Sequence, residues 1–425
     1  LNEKFCKLGF RPADILLPKN CNMEKWSVVA CDQYTSEPEY WKSVEDFVGN
    51  APSTLHMILP EAELNADGVE ERISSINKNM DDYLDSGVFK EIKESFILVE
   101  RTLKNGDVRT GLVGAVDLEQ YDYNKGAASL IRATEGTVLE RIPPRVRVRE
   151  GASLELPHVM LLIDDPECTV IEPLTEQKAQ LETLYDFDLM FGSGHIKGYR
   201  VSGKALDSVA DALSALGDPT SFNKKYGLEN KPVLLFAVGD GNHSLATAKE
   251  CWERIKKTLP CGEYNHPARY ALVELVNIHD KSLNFEPIHR VVFETDPDKI
   301  IREFLNFYPS AKLGEGEGQR IEFVSAQKRG VLTVKNPESG LAVGTLQNFL
   351  DQYIKKNGGR VDYVHGEEVA ESLGSKPGNI GFLLPPMGKS ELFTTIITDG
   401  VLPRKTFSMG HAYDKRFYLE CRKIK

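Results

Sequence analysis

LLFAVGDGNHSLATAKECWE, residues 234–253, reads as a buried strand that runs into a glycine turn and straight out into a helix. Leu245, Ala248, Trp252, Ile255 and Leu259 recur at steps of three and four, which predicts an amphipathic helix with Lys249, Glu253 and Lys256 on its wet face. Gly239 and Gly241 allow a tight turn that leaves amide N–H groups accessible. A helix N-terminus carries unpaired N–H groups and a partial positive charge, so Gly239, Gly241, Asn242 and Ser244 form a candidate phosphate seat. Asp240 is the candidate metal ligand, and His243 is a candidate donor to a phosphate oxygen or proton shuttle. The competing reading makes Asp240 and Asn242 plain helix caps and His243 a satisfied turn residue.

A second constellation, LIRATEGTVLERIPPRVRVREGA at 130–152, packs five arginines into an otherwise acidic chain. Arg132, Arg141 and Arg145, with Thr137, are candidate anion ligands, because planar guanidinium forks grip carboxylate or phosphate with two bonds. Glu135 among them is a candidate general base. Pro143-Pro144 is expected to interrupt any helix, and Arg145–Arg149 to alternate as a strand if the arginines simply face solvent. The tail DGVLPRKTFSMGHAYDKRFYLE, 399–420, adds Lys405 and His411, and FEPIHRVV adds His289 and Arg290 at a strand start. FGSGHIKG, 191–198, fits either a glycine hairpin or a mobile lid.

The full chain has 425 residues, 41% hydrophobic and 27% charged, which suits a folded multi-lobed protein. Strand and helix patterns alternate without a fixed repeat, predicting an α+β or mixed α/β architecture of mixed sheets flanked by helices. A helix is expected over 69–94, a hairpin after it, and a helix over 176–187. Three α/β lobes are expected, with soft boundaries: 1–150, 151–310 bearing the motif, and 311–425, free to interleave. A net charge of −11 argues against a nucleic-acid partner. Seven dispersed cysteines without a C-x-x-C pair read as free thiols. No apolar run is long enough for a membrane span, and the first residues carry no signal-peptide pattern, so a cytoplasmic protein is expected. A homodimer is left open. The standard P-loop, G-x-G-x-x-G and G-x-S-x-G signatures are absent, and Gly-Asn-His lacks the ligand set of a binuclear metallophosphoesterase.

Taken together, FRPADILLPK, RATEGT…ER, DGNHSLATA, EPIHRVV and LPRKTFSMGHA resemble, in order and over nearly the whole chain, the boxes of the domain-of-unknown-function family numbered 1015. That family's Asp-Gly-His-His-Arg box resembles the phosphate-binding box of the ParB and sulfiredoxin-like fold, which includes free-serine kinases. The resemblance implies a strand–turn–helix core of that fold in which Asp240, Gly241, Asn242 and His243 line nucleotide phosphates. Two departures stand out: Asn242 takes the place of the first histidine and Ser244 that of the arginine, so Arg132, Arg141 or Arg145 would have to replace the lost guanidinium. The function this reading implies is phosphate transfer from ATP or ADP with Mg²⁺ to a small hydroxyl or carboxylate metabolite, a free amino acid among the candidates. A non-catalytic nucleotide- or metabolite-binding regulator is the alternative, and hydrolysis of a phosphorylated metabolite is the third reading.

Overall fold

The computed structural model describes residues 2–64, 66–136, 142–260, 262 and 264–425. Thr137 and Arg141 lie outside the described residues. The fold is mixed α/β, with mixed sheets flanked by helices. By internal contacts the chain divides into two units, Leu1–Leu283 with His411–Lys425 and Asn284–Gly410. Among the described residues no helix is long and apolar enough to cross a membrane.

The larger unit is built on a sheet of eleven described strands. Its path runs Tyr121–Asp122, Ile131–Ala133, Phe236–Asp240, Met160–Ile163, Tyr270–Asn277, Val108–Asp117, Phe89–Thr102, His195–Val201 and Glu182–Asp188. Strands from before and after residue 150 share it, since Tyr270–Val276 pairs antiparallel with Gly111–Asp117. The middle of the path is apolar on both faces: Leu161, Leu162, Phe236, Val238, Val273 and Leu275 are all buried.

Several local expectations give way to tertiary context. The helix predicted over 69–94 ends at Asp85, and the chain from Phe89 joins the sheet as a fourteen-residue strand. At 176–187 only Glu172–Glu176 and a single turn at Lys178–Gln180 are helical; Glu182–Asp188 is a strand, hairpinned to His195–Val201. That pairing makes 191–198 a glycine hairpin. Pro143-Pro144 opens a helix, Ile142–Glu150, where a break is expected, because proline in a first turn removes no intrahelical bond. Arg145–Arg149 therefore belongs to a helix and not an alternating strand. Arg145 pairs there with Glu61, and Arg147 with Glu70.

The last residues of the chain return to the larger unit through buried ions. Arg416 is sandwiched between Glu274 and Glu420, and its Nε donates to the Pro157 carbonyl at 3.1 Å. Tyr185 donates to Glu420 at 2.6 Å. Gly111 leaves room for this cluster, since a Cβ there would stand 2.3 Å from a Glu274 oxygen. Nearby, Glu155 takes Arg422 and Arg149, each at 2.6 Å, and the Leu272 amide at 2.9 Å.

The smaller unit carries an antiparallel sheet ordered Ala311–Leu313, Arg329–Val334, Gln319–Ser325, Ile380–Leu383, Phe285–Phe293 and Arg360–His365, with Phe407–Met409 on the first residues of Phe285–Phe293. Fully buried Arg290 donates to the carbonyls of Arg404 at 2.8 Å and Lys405 at 2.9 Å. It thereby joins the EPIHRVV and LPRKTF segments. His289 accepts the Leu384 amide at 3.1 Å; burial, helped by Arg290 and His365, holds its pKa below the ordinary imidazole value.

Burial raises the Glu155 carboxyl pKa, but Arg422 and Arg149 outweigh it, and the folded value is depressed. Its contribution is therefore complete above the unfolded value of about 4.3 and is lost as pH falls through the lower folded value. Urea titrations across pH 3–7 should show stability falling in that acid range, and Glu155→Gln should flatten the acid limb while lowering stability at neutral pH. Arg416→Met strands two buried carboxylates and is expected to cost about 3–5 kcal/mol by the same measurement.

Candidate functional site

The site grows from one parallel pairing. Phe236–Val238 runs alongside Ile131–Ala133, so the segments that follow both strands emerge at the same sheet edge although more than a hundred residues separate them. Thr134 and Asn242 clasp there: the Thr134 amide donates to Asn242 Oδ1 at 3.2 Å, and Asn242 Nδ2 donates to Thr134 Oγ1 at 3.1 Å. Thr134 Oγ1 in turn donates to the Val238 carbonyl at 2.6 Å. Asn242 thus staples two loops by its side chain, and Glu135 follows immediately at the same edge.

The two glycines do different jobs. Gly239 lies where the pairing to Met160–Ile163 shifts register between Val238 and Asp240, a bulge in the strand. Gly241 has φ +80°, and a Cβ on it would meet Val159 atoms at 3.1 Å, so only glycine fits without strain or displacement. The helix Asn242–Lys256 starts directly after it, and Gly241 as its N-cap offers no side chain to the first-turn amides.

Around this first turn the tertiary structure gathers side chains from distant segments. Asp240 Oδ2 receives Lys415 Nζ at 3.0 Å, and Lys415 is only 12% exposed. Ser244 Oγ lies 2.9 Å from His158 Nε2, and His158 Nδ1 lies 2.8 Å from the Tyr418 hydroxyl, which also accepts the Cys31 amide at 3.2 Å. Asp32 Oδ2 stands 3.8 Å from His158 Nε2. Burial raises the Asp32 pKa, yet His158, the Gln33 amide and Lys415 pull it further the other way, and the carboxyl is held below its ordinary value. Cys31 is pushed up to about 12, by burial first and by Asp32 second, so it is a protonated, inert thiol.

The structure therefore unites Asp240, Gly241, Asn242, Ser244 and the Thr134-Glu135 segment, with His243 in the first turn. Arg132 donates to the carbonyls of Ser129, Pro232 and Val233 at 2.9, 3.0 and 3.2 Å, tying together the loops behind the strands. Arg145 is paired with Glu61. His411 is exposed, its ring stacked on Tyr413, four residues before Lys415. His289, Arg290 and Lys405 belong to the smaller unit. Among the described residues no group of three or more His, Cys, Asp or Glu side chains is placed to hold a metal. Asp32, His158 and Tyr418 escape sequence reasoning, and Lys415 is visible there only as one cation of a basic tail. The one usable signal is a histidine placed just before the buried strand at 160–163.

Gly241→Ala is expected to cost about 1–2 kcal/mol in urea denaturation, from the left-handed backbone and the Val159 contact together. Asn242→Ala should loosen the two loops and raise amide exchange at Thr134.

No curated protein matches the chain. Among solved structures it is similar to a mutant free serine kinase in complex with ADP, at 10% identity over 74% of this chain and 92% of that one, TM-score 0.39. It is similar also to a free serine kinase in complex with AMP, at 10% identity over 72% and 90%, TM-score 0.38. A conserved hypothetical protein from Pyrococcus furiosus gives 11% identity over 73% and 94%, TM-score 0.37. The family model described as protein of unknown function, DUF1015, matches residues 12–353, and the chain belongs to that family.

Proposed function

We propose that this protein is a nucleotide-dependent phosphotransferase acting on a small hydroxyl or carboxylate metabolite, with free amino acids among the candidate acceptors. The observation that supports this most is the gathering of Lys415, Asp240, Asp32, His158 and Ser244 around the first turn of Asn242–Lys256. A helix start and a part-buried ammonium favour phosphate oxygens, and Asp240 would be the carboxylate that holds Mg²⁺, which when bound would neutralise phosphate charge. ATP or ADP, when bound, supplies the terminal phosphoryl group.

In this reading the first-turn amides, His243 and Lys415 hold the phosphates in place. A hydroxyl acceptor's oxygen forms its bond to the terminal phosphorus while that phosphorus loses its bond to the bridging oxygen, which leaves with the nucleotide. The acceptor proton goes to Asp32, which is held ionised beside His158. Glu135 is the second carboxylate at this edge and the alternative base. A binding-only role is favoured by one observation: Arg132 is committed to main-chain carbonyls and Arg145 to Glu61, so neither guanidinium stands ready to replace the arginine absent at Ser244.

Calorimetric titration of ADP and ATP, with and without Mg²⁺, checks the seat. Lys415→Ala and Asp240→Ala are expected to weaken binding about tenfold or more, near 1.4 kcal/mol. Asp32→Asn should retain binding and lose phosphoryl transfer about a hundredfold, whereas the same loss in Glu135→Gln alone would move the base to Glu135. Absence of binding at about 1 mM nucleotide retires the proposal. Binding without transfer to any acceptor, followed by phosphorus NMR, leaves the binding-only role.

A further inference from the structure

Behind the first turn of Asn242–Lys256 the larger unit holds a cavity of about 160 Å³. His158 and Ser244 stand in its wall, so it opens onto the same pair that marks the candidate site. Most of the remaining wall is apolar: Met57, Leu59 and Met80 come from the N-terminal part of the chain, Val148 from Ile142–Glu150, and Ala248 from the second turn of Asn242–Lys256. The four charged side chains in the wall neutralise one another across two ion pairs, Arg145 with Glu61 and Arg149 with Glu155.

We propose that this cavity receives the uncharged, apolar tail of the phosphoryl acceptor, with the acceptor's hydroxyl head held at His158 and Ser244. The inference rests on the phosphotransferase reading for the word acceptor, and on the cavity alone for the tail. Size sets the tail: a cavity of about 150 Å³ takes a benzene ring, and this one is of the same order. Polarity sets its character. A charged tail would have to break one of the two ion pairs, and a nucleobase would bring ring nitrogens and an amino group into a wall whose charged groups are already engaged with one another. A branched aliphatic or phenyl group asks for nothing but contact and is released from water on entry. The preferred acceptor is therefore a hydroxylated metabolite with an apolar end of about six or seven carbons, in contrast to one as small and polar as serine.

Benzyl alcohol and its polar counterpart ethylene glycol serve as probes of the intact protein, observed by ligand NMR and by calorimetry alongside ADP. Benzyl alcohol is expected to bind with a dissociation constant of about 10 mM or tighter, and ethylene glycol not to bind. Ala248→Leu fills the cavity from the helix, and Val148→Phe fills it from a partly exposed position that leaves the core of the sheet untouched. Both are expected to weaken benzyl alcohol at least tenfold while ADP affinity stays within about twofold. If Ala248→Leu does not fold, Val148→Phe decides. Equal binding of benzyl alcohol in the wild type and the filled variant, or none in either, overturns the proposal. Loss of ADP affinity in Val148→Phe also overturns it, by placing the nucleobase in the cavity. Benzyl alcohol binding that the filled variant abolishes, in a protein that binds no nucleotide, keeps the apolar pocket and fails the phosphotransferase reading instead.

Discussion

Arg416, buried between Glu274 and Glu420, is the contact on which the larger unit's site depends. Two carboxylates and one guanidinium are withdrawn from water together, and each is tolerable there only because the others are present. Glu274 belongs to a central strand and Glu420 to the end of the chain, so the cluster ties the terminal segment to the middle of the sheet. Lys415 and Tyr418 flank Arg416 in sequence. Once Arg416 is seated, Lys415 reaches Asp240 and Tyr418 reaches His158. A part-buried cation beside the turn is thus a consequence of the ion cluster next to it.

The second constraint is the parallel register of Ile131–Ala133 with Phe236–Val238. Parallel strands end on the same side, which is where loops of an α/β sheet can converge on a ligand. Here the convergence is fixed by the Thr134–Asn242 clasp, and the backbone approach at Gly241 brings Val159 and His158 against the helix start. In a protein with a net charge of −11, the start of a helix and the Lys415 ammonium, paired with Asp240, come together at this turn. An ionised Asp32 stands within the same network, separated from the helix start by His158.

Much of the secondary structure was legible. The helix that follows Gly241, the first part of the helix read over 69–94, and the hairpin after residue 94 follow from apolar spacing and turn residues that act locally. Two of the failures share one cause. Residues 89–94 and 182–187 have helix-compatible spacing, but pairing with Ala13–Pro18 and with His195–Val201 makes them strands, and that pairing is a long-range event for 89–94 and a hairpin contact for 182–187. Pro143-Pro144 misled because proline breaks a helix interior and initiates a helix start with equal ease.

The sequence by itself determined the strand–turn–helix at 236–256, since a short continuous apolar run, a glycine turn and three-to-four spacing are all local properties. It also singled out Asp240, Asn242, His243 and Glu135 as candidates for one site. Only the tertiary structure decided that Asn242 is a staple, that Arg132 serves main-chain carbonyls, and that Lys415, Asp32 and His158 attend the turn. The physical reason is that a charged side chain's role depends on which partner desolvates with it. That partner is chosen by pairings between residues as far apart as 32 and 158, or 240 and 415, to which local spacing is blind.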